Sequence, residues 1–345
     1  MVTQTSQSKQ ETNDAATPLE RLASLLDDDM RAVNAAILNY MDSGVPMIPQ
    51  LAGYLIGSGG KRIRPLMTLA STALCGGEMA RAHKLAASVE FIHTATLLHD
   101  DVVDESIRRR GKDAANVVFG NQASVLVGDF LFSRAFQLMV GDGALDVLRI
   151  LSDASAIIAE GEVMQLAMTG DLGMDFETYE KVISAKTAAL FAASCEIGPV
   201  IAGADKATVN AMRDYGLYLG LAFQIVDDVL DYTADQNTLG KTIGDDFREG
   251  KITAPVLFAL AQADEEERAF WERVMVKRDQ SEDDLAMALT LIKRHDAFAR
   301  SLHIAQTYGN RAIAALDSLS PGTIKNDAIG AALKDMVDFT IRRAS

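Results

Sequence analysis

Apolar residues recur along the chain at steps of three and four, which is the period of a helix with one buried face. The same period continues in the segments 84–104, 122–140, 145–168, 177–200, 208–232, 253–262 and 283–317. The first run is formed by Leu22, Leu25, Leu26, Met30, Val33, Ile37 and Tyr40. Alternating runs typical of strands are absent from the sequence. The pattern predicts an all-α helical bundle of about ten or more helices.

The first predicted helix has a well-marked beginning. Thr17 can cap it, Pro18 suits its first position, and Glu20 completes a capping box. The preceding residues 1–16 are polar, and we predict a disordered N-terminal tail there. No stretch resembles a linker between domains, so residues 17–345 are expected to form a single domain. Within it, the charge-dense stretch 263–285 is predicted to be a solvated helical surface.

Composition narrows the classes of function. The 345 residues include 33 Lys and Arg against 48 Asp and Glu, a net charge of −15, which is unsuited to holding nucleic acid by charge. Cys75 and Cys195 are isolated, as is common in a reducing compartment. We find no secretory signal, and no uncharged apolar run reaches the roughly 18 residues of a membrane span. These features predict a cytoplasmic protein with no membrane span and no nucleic-acid partner.

Two Asp-Asp-x-x-Asp motifs carry the strongest chemical signal. The first spans Asp100–Asp104 and the second Asp227–Asp231, each within an apolar helical segment. Residues four apart share a helix face, where two carboxylates repel each other unless a cation lies between them. Carboxylate oxygens suit Mg²⁺, which is often shared with phosphate oxygens. Facing each other across a bundle, the two motifs would form a cage for several divalent cations.

Basic residues gather near these motifs although the protein is acidic overall. Arginine gives fork-shaped contacts to phosphate and lysine gives a point charge, so the pattern indicates diphosphate substrates. The basic residues concerned are Lys61, Arg62 and Arg64 in a glycine-rich loop, Arg109 and Arg110 after the first motif, Lys186, and Lys241 and Lys251 after the second motif.

Several longer segments together resemble a known family. They are GGKRIRP, LLHDDVVDESIRRRGK, GDFLFSRAF, KT at 186–187, FQIVDDVLD and GKTIGDDFREGKITAPV. In this order and spacing, the chain from about residue 20 to its end resembles the trans-polyprenyl diphosphate synthases. The resemblance implies the isoprenoid synthase fold with a central active-site cavity, usually as a homodimer. It also implies a prenyltransferase that uses roughly three Mg²⁺ ions per site, which Mn²⁺ could replace.

The implied reaction joins an allylic diphosphate, with farnesyl diphosphate as the expected primer, to successive molecules of isopentenyl diphosphate. The allylic bond to diphosphate ionises, the isopentenyl double bond attacks the cation, and a proton is then lost to the released diphosphate. Water must be excluded because it would trap the cation. The loop around 235–251 and the tail Ile341–Arg343 are expected to close over the site.

The resemblance also implies a role for each matching residue. Mg²⁺ on the allylic diphosphate would be bound by Asp100, Asp104 and Asp227, supported by Asp101, Asp228 and Asp231. The allylic diphosphate would be held by Arg109, Lys186, Lys241 and Lys251. Isopentenyl diphosphate would be held by Lys61, Arg64, His93 and Arg110. The carbocation would be faced by Thr187 and Gln224.

Product length is expected to depend on the helix turn before the first motif. Thr96 and Ala95 lie four and five residues before Asp100, one turn deeper along the helix. Short-chain members of the family commonly carry aromatic residues here, so small ones predict an open tunnel and a long product, from octaprenyl to decaprenyl diphosphate, for a quinone side chain. Its release could involve peripheral membrane contact. The tunnel floor could be Phe130, Phe132, Phe136 or Met139, although ordinary core packing explains these residues equally well.

Three alternatives are less consistent with the residues. A terpene cyclase of the same fold would usually carry N-x-x-x-S/T-x-x-x-E in place of the second aspartate motif. A non-catalytic subunit of a heteromeric synthase would tend to lose the aspartates, and this chain keeps both sets. A ferritin-like carboxylate bundle needs paired Glu-x-x-His motifs, whereas Glu90–His93 matches only once.

Overall fold

The computed structural model describes residues 16–57, 60–109, 111–233 and 243–344. These residues are mostly helical, which confirms the predicted all-α fold. Two π-helical turns interrupt the α-helices: π1 (Ser184–Ala188) and π2 (Glu272–Val276). The α-helices are α1 (Pro18–Leu25), α2 (Asp27–Tyr40), α3 (Met47–Gly57), α4 (Ile63–Cys75), α5 (Met79–Val103), α6 (Ala115–Phe119), α7 (Asn121–Asp142), α8 (Leu145–Met168), α9 (Phe176–Ile183), α10 (Ala189–Ile201), α11 (Lys206–Thr233), α12 (Asp245–Arg248), α13 (Ala254–Leu260), α14 (Glu265–Trp271), α15 (Asp284–Arg294), α16 (Ala297–Asp317) and α17 (Asp327–Arg342).

The described residues contain one small sheet that the sequence pattern did not predict. Its strands β1 (Arg108–Arg109) and β2 (Lys112–Asp113) pair antiparallel directly after α5. The hairpin turns the chain back at the end of the first aspartate motif. Residues 1–15 of the predicted disordered tail 1–16 lie outside the described part. The single domain over 17–345 stays a prediction.

The first helix begins as the sequence predicts. Thr17 accepts a bond from the amide of Glu20, the Glu20 side chain reaches back to the Thr17 amide, and Pro18 opens the helix. The expected continuous helix is broken at Leu26, where φ is −123°, and α2 restarts with three aspartates in its first turn. Acidic residues there are favoured by the helix dipole.

The apolar residues form two core clusters that meet along α11. The first joins α2, α4, α5, α7, α8 and α10 with Tyr215 and Leu219 of α11. The second joins α13 to α16 with Ile225 and Val226, further along the same helix. Helix α11 therefore connects the two clusters, and its second aspartate motif lies in the part that packs in the second cluster.

The charge-dense stretch 263–285 is mostly exposed, as the sequence predicts, but two of its acidic residues are buried. Glu267 and Asp284 are 5% and 6% exposed. Arg294 and His295 each contact Glu267 at 2.6 Å, and Arg273 grips Asp284 with two nitrogens, which holds the pKa of Asp284 well below its usual range. The sequence did not predict these two ion pairs, because a buried and a solvated carboxylate have the same charge pattern along the chain.

By length and composition, one helix of the described residues could cross a membrane. It is α7, and 44% of its apolar window is buried inside the protein. Core helices of soluble proteins pass the same test, and α7 also carries Asp129 and Arg134, so this is weak evidence for a membrane span.

Glycines clamp the π1 turn between two long helices. A Cβ atom on Gly161 of α8 would lie 2.7 Å from Ala185 Cβ, and one on Gly220 of α11 would lie 2.7 Å from Ala188 Cα. Both distances are far shorter than a van der Waals contact, so only glycine lets these helices approach π1. The clamp fixes where the residues of π1 point.

We expect Gly220→Ala to destabilise the protein by about 1–3 kcal/mol, because the new methyl group meets the Ala188 backbone. Thermal unfolding should show a lower midpoint. Gly141→Ala is the matched control: Gly141 lies in α7 with open space around it, so its replacement should leave the midpoint unchanged or slightly raised. Equal midpoints for both variants would contradict the clamp.

Candidate active site

Both aspartate motifs lie near the carboxyl ends of long helices, and in both the second aspartate is more buried than the first and third. Asp100 lies in the last turn of α5, Asp104 is the C-cap of that helix, and Asp227 lies near the end of α11. The second aspartate of each motif turns inward: Asp101 is 1% exposed and Asp228 is 3% exposed. The first and third aspartates of each motif are therefore the ones available for contacts across the site.

Cations from three distant parts of the chain meet these aspartates. Lys186 of π1 lies 3.6 Å from Asp100, and Lys251 lies 2.9 Å from Asp104. Arg343, next to the end of α17, lies 3.0 Å from Asp227. Lys251 contacts the first motif, and the segment before it is bonded to Asp231 of the second, so the two motifs lie near each other.

Two glutamates that sequence reasoning missed complete the lysine contacts. Glu162 of α8 accepts a 2.7 Å bond from Lys186, and Glu249 lies 2.6 Å from Lys251. Burial raises the pKa of Glu162, and the nearby charge of Asp100 raises it further, while Lys186 opposes both effects. The pKa of Asp100 is also raised, chiefly by burial. The site therefore concentrates more negative charge than its lysines neutralise.

Arg109 is fixed by the first motif. Its Nε and Nη2 atoms both lie 2.7 Å from one oxygen of Asp101, and strand β1 holds its backbone. Its predicted role in holding a diphosphate stays a prediction. Arg110 and Lys241, for which similar roles are predicted, lie outside the described residues, as do residues 235–242 of the loop around 235–251.

The predicted isopentenyl-binding residues Arg64 and His93 are brought together. Arg64 Nη1 lies 3.2 Å from His93 Nε2, and since arginine can only donate, this nitrogen of His93 accepts the bond. The Arg64 guanidinium also lies over the Phe191 ring at 4.5 Å. Burial lowers the pKa of Lys61 and the charge of Arg343 adds to the effect, which places the basic loop beside the tail and Asp227.

Thr187 and Gln224 form a polar pair between the two motifs. Thr187 Oγ1 donates to Gln224 Oε1 at 2.7 Å, and Gln224 Nε2 donates to Asp228 Oδ1 at 2.7 Å. Tyr179 donates to the other oxygen of Asp228 at 2.5 Å. Sequence reasoning missed Tyr179, because nothing in its surroundings along the chain marks it.

Asp231 supports the site through the backbone. Its Oδ2 accepts a 3.2 Å bond from the Asp246 amide, and its carbonyl accepts a 2.8 Å bond from Gly244. These bonds dock the short helix α12 onto the end of α11. Lys251 follows that helix by three residues, so Asp231 helps to aim Lys251 at the first motif.

A cavity of about 130 Å³ adjoins the motifs. Its polar side is formed by Lys186, Thr187, Gln224, Asp228 and Lys251. Its apolar side is formed mainly by Met168, Met174, Val182, Ile183 and Ile252. Charged groups and an apolar wall thus share one space, as a substrate with a charged head and an apolar tail requires.

The carboxylate oxygens of the two motifs fit Mg²⁺ that is shared with a diphosphate. The described residues contain no group of three side chains that could hold a metal ion by themselves. Mg²⁺ is commonly bound through only one or two carboxylates, with phosphate oxygens and water completing its shell. Asp227 Oδ1 is shielded from solvent and accepts no hydrogen bond, although the Arg343 nitrogen is close, so it has a lone pair for a cation.

The residues predicted to control product length differ in their surroundings. Ala95 is fully buried in the first core cluster, whereas Thr96 is only partly buried and bonds to the His93 carbonyl. Both lie on α5 one turn before Asp100, as predicted. Their role stays a prediction.

An all-α protein with two facing aspartate motifs can be compared with known proteins. A polyprenyl synthetase family model matches residues 45–292. Octaprenyl diphosphate synthase of Escherichia coli (strain K12) is 44% identical over 314 residues, which cover 91% of this chain and 97% of that protein. A solved polyprenyl synthase from Caulobacter crescentus CB15, complexed with calcium and isoprenyl diphosphate, is 50% identical with a TM-score of 0.90 and covers 95% of this chain and 98% of its own.

A decaprenyl diphosphate synthase structure from Rhodobacter capsulatus is 48% identical, with a TM-score of 0.89, covering 95% of this chain and 99% of its own. These likenesses confirm the isoprenoid synthase helical fold. The chain belongs to the polyprenyl synthetase family. Its members are prenyltransferases of isoprenoid biosynthesis and in general depend on Mg²⁺.

We expect Glu162→Gln to raise the thermal midpoint of the metal-free protein at neutral pH. The raised pKa of Glu162 means that the folded protein disfavours its charge. That cost is fully present above the folded pKa and disappears below the ordinary value, so the advantage of the variant should shrink as the pH falls towards about 4.5.

Glu177→Gln is the matched control for this change. Glu177 pairs with Lys181 on an exposed helix face, so its replacement should change stability by less than about 0.5 kcal/mol at any pH. An advantage of Glu162→Gln that stays constant or grows on acidification would contradict the assigned environment.

Proposed function

We propose that this protein condenses an allylic diphosphate, with farnesyl diphosphate as primer, with successive isopentenyl diphosphates to a long all-trans polyprenyl diphosphate. The observation that carries the proposal is the pairing of Lys186 and Lys251 with Asp100 and Asp104, next to a cavity with an apolar wall. Two carboxylate motifs and their cations suit a metal-bound diphosphate head, and the apolar wall suits an isoprenoid tail.

The named activities of the relatives support the product class. The Escherichia coli relative is an octaprenyl diphosphate synthase and the Rhodobacter capsulatus neighbour is a decaprenyl diphosphate synthase. We infer a product between these lengths, used as a quinone side chain. The enzyme would work in the cytoplasm, where Cys75 and Cys195 stay unpaired, and would release its product at a membrane surface.

In the proposed reaction, one set of residues binds the allylic diphosphate and another set binds isopentenyl diphosphate. The allylic diphosphate would be held by Arg109, Lys186, Lys241 and Lys251, and isopentenyl diphosphate by Lys61, Arg64, His93 and Arg110. Mg²⁺ held by Asp100, Asp104 and Asp227, in roughly three ions per site, would stabilise the charge that develops on the leaving diphosphate. Mn²⁺ could replace it.

Thr187 and Gln224 would face the allylic cation after ionisation. Their oxygens carry partial negative charge and lie between the two motifs, so they can stabilise the cation without attacking it. The tail ending in Arg343 and the loop around 235–251 would exclude water, which would otherwise capture the cation.

The test is a condensation assay with purified protein, Mg²⁺, labelled isopentenyl diphosphate and each allylic primer in turn. Extraction and sizing of the product should show a polyprenyl diphosphate of eight to ten isoprene units, as in the named relatives, with farnesyl diphosphate as a good primer. Absence of condensation with every primer would overturn the proposal.

We expect bulk at the turn before Asp100 to shorten the product. Both Ala95→Phe and Thr96→Phe should do so, because an aromatic ring would block the proposed tunnel. Thr96→Phe is the safer variant, since Thr96 is only partly buried and Ala95 is fully buried. Ala80→Phe, at an exposed position of the same helix, should leave the product length unchanged. Full-length product from a folded Thr96→Phe variant would contradict the tunnel position.

A homodimer is the proposed assembly. Val125, Leu126, Phe136 and Val140 are exposed on α7 and fall within an arc of about 100° around the helix, which forms one apolar stripe. Large exposed apolar stripes mark interaction surfaces, and α7 has no partner on this face among the described residues. A second copy of the chain would cover the stripe.

Leu126→Glu should convert the dimer to a monomer of about 37.1 kDa in sedimentation equilibrium, because a charge would be buried without a partner. Met287→Glu replaces another exposed apolar residue, on α15 in the second core cluster, and should leave the dimer intact. A monomeric wild-type protein, or two variants that behave alike, would contradict this interface.

A further inference from the structure

Asp228 is the least exposed member of the second motif, and both of its oxygens are held by hydrogen bonds within the protein. Its side chain is 3% exposed, whereas the neighbouring Asp227 side chain is 39% exposed. Each of its two oxygens already accepts a short bond, from Tyr179 at 2.5 Å and from Gln224 at 2.7 Å. These two bonds hold the carboxyl group of Asp228 in one orientation.

The Gln224 amide is oriented by this contact. A glutamine amide has a donor end and an acceptor end, and the two are interchangeable in shape. The Gln224 amide nitrogen donates to Asp228 Oδ1, so the nitrogen end of the amide faces Asp228. The carbonyl oxygen then points the other way and accepts the hydroxyl of Thr187 at 2.7 Å.

Tyr179 holds the carboxylate that sets this orientation. It comes from α9, is 2% exposed, and reaches Asp228 of α11 across the helix packing. Its position therefore links α9 to the polar pair that lines the cavity with Lys186. Without the phenol, Asp228 would have a buried oxygen unpaired and could turn away from Gln224.

We propose that Tyr179 and Asp228 are positioning residues that act through Gln224, keeping its carbonyl oxygen and the Thr187 hydroxyl turned towards the place where the allylic cation forms. This inference rests on the proposed function. A reversed amide would present its positive NH₂ end to the cation and raise the barrier to ionisation. The second aspartate of this motif thus serves orientation, while Asp227 serves the metal.

The test is a double-mutant cycle of Tyr179→Phe and Gln224→Ala, read as the single-turnover rate of the first condensation. Tyr179→Phe should slow this step about tenfold in the wild-type background and less than about twofold with Gln224→Ala already present. The Mg²⁺ concentration for half-maximal rate should stay unchanged, since the metal ligands are not altered. Equal slowing in both backgrounds would overturn the proposal, and so would a raised Mg²⁺ requirement.

Tyr215→Phe is the control for losing a buried hydroxyl. Tyr215 lies on the same α11 and donates to the Leu333 carbonyl at 2.9 Å, far from the polar pair along the helix. This variant should lower the thermal midpoint without slowing condensation. A slowed condensation in this control would show that loss of a buried bond alone explains the effect, which would overturn the proposal.

A second cycle uses Asp228→Asn with Gln224→Ala, since asparagine keeps the shape but no longer dictates the amide orientation. It should repeat the non-additive pattern, and it decides the question if Tyr179→Phe fails to fold. Failure of both variants to fold would overturn the proposal, because the bonds would then serve structure alone. A wild-type protein without condensation activity would instead refute the proposed function, and an active one with additive effects would refute only the positioning role.

Discussion

The structure depends on neutralising carboxylates at the carboxyl ends of two buried helices. Asp100 and Asp104 end α5, and Asp227 lies in the last turns of α11, where the helix dipole already disfavours negative charge. Burial raises the cost further, as the raised pKa of Asp100 shows. Such a site is tolerable only with cations, which explains why lysines and an arginine converge on it from distant parts of the chain.

The fold is arranged to deliver those cations. The π1 turn carries Lys186 and packs closely against Gly161 and Gly220, where any larger residue would clash with it. Helix α12 is docked on Asp231 and aims Lys251 across to the first motif. A π-turn at a functional site is a recurring device, because its wider turn changes which side chains face inward. The packing of these segments thus also positions the lysines that compensate the charge of the carboxylates.

Much of this arrangement could be predicted from the sequence because it follows from local spacing. Helical periodicity gives the all-α fold, and the i, i+4 spacing of Asp100 and Asp104 gives a shared face. Glu162 and Tyr179 could not be predicted, since each reaches its partner only through tertiary packing between helices. The mostly exposed stretch 263–285 was predicted correctly except for its two buried carboxylates, because charge pattern alone does not tell whether Glu267 meets water or Arg294 and His295.

The central claim is that Asp100, Asp104 and Asp227 bind Mg²⁺ with a diphosphate while Asp101 and Asp228 remain bonded to the protein. The most direct measurement is a crystal structure with Mg²⁺ and an allylic thiodiphosphate whose carbon–sulfur bond does not ionise. We predict metal bound to Asp100, Asp104 and Asp227, with Asp101 still bonded to Arg109 and Asp228 still bonded to Tyr179 and Gln224. Metal bound by Asp101 or Asp228, or a diphosphate away from both motifs, would contradict it.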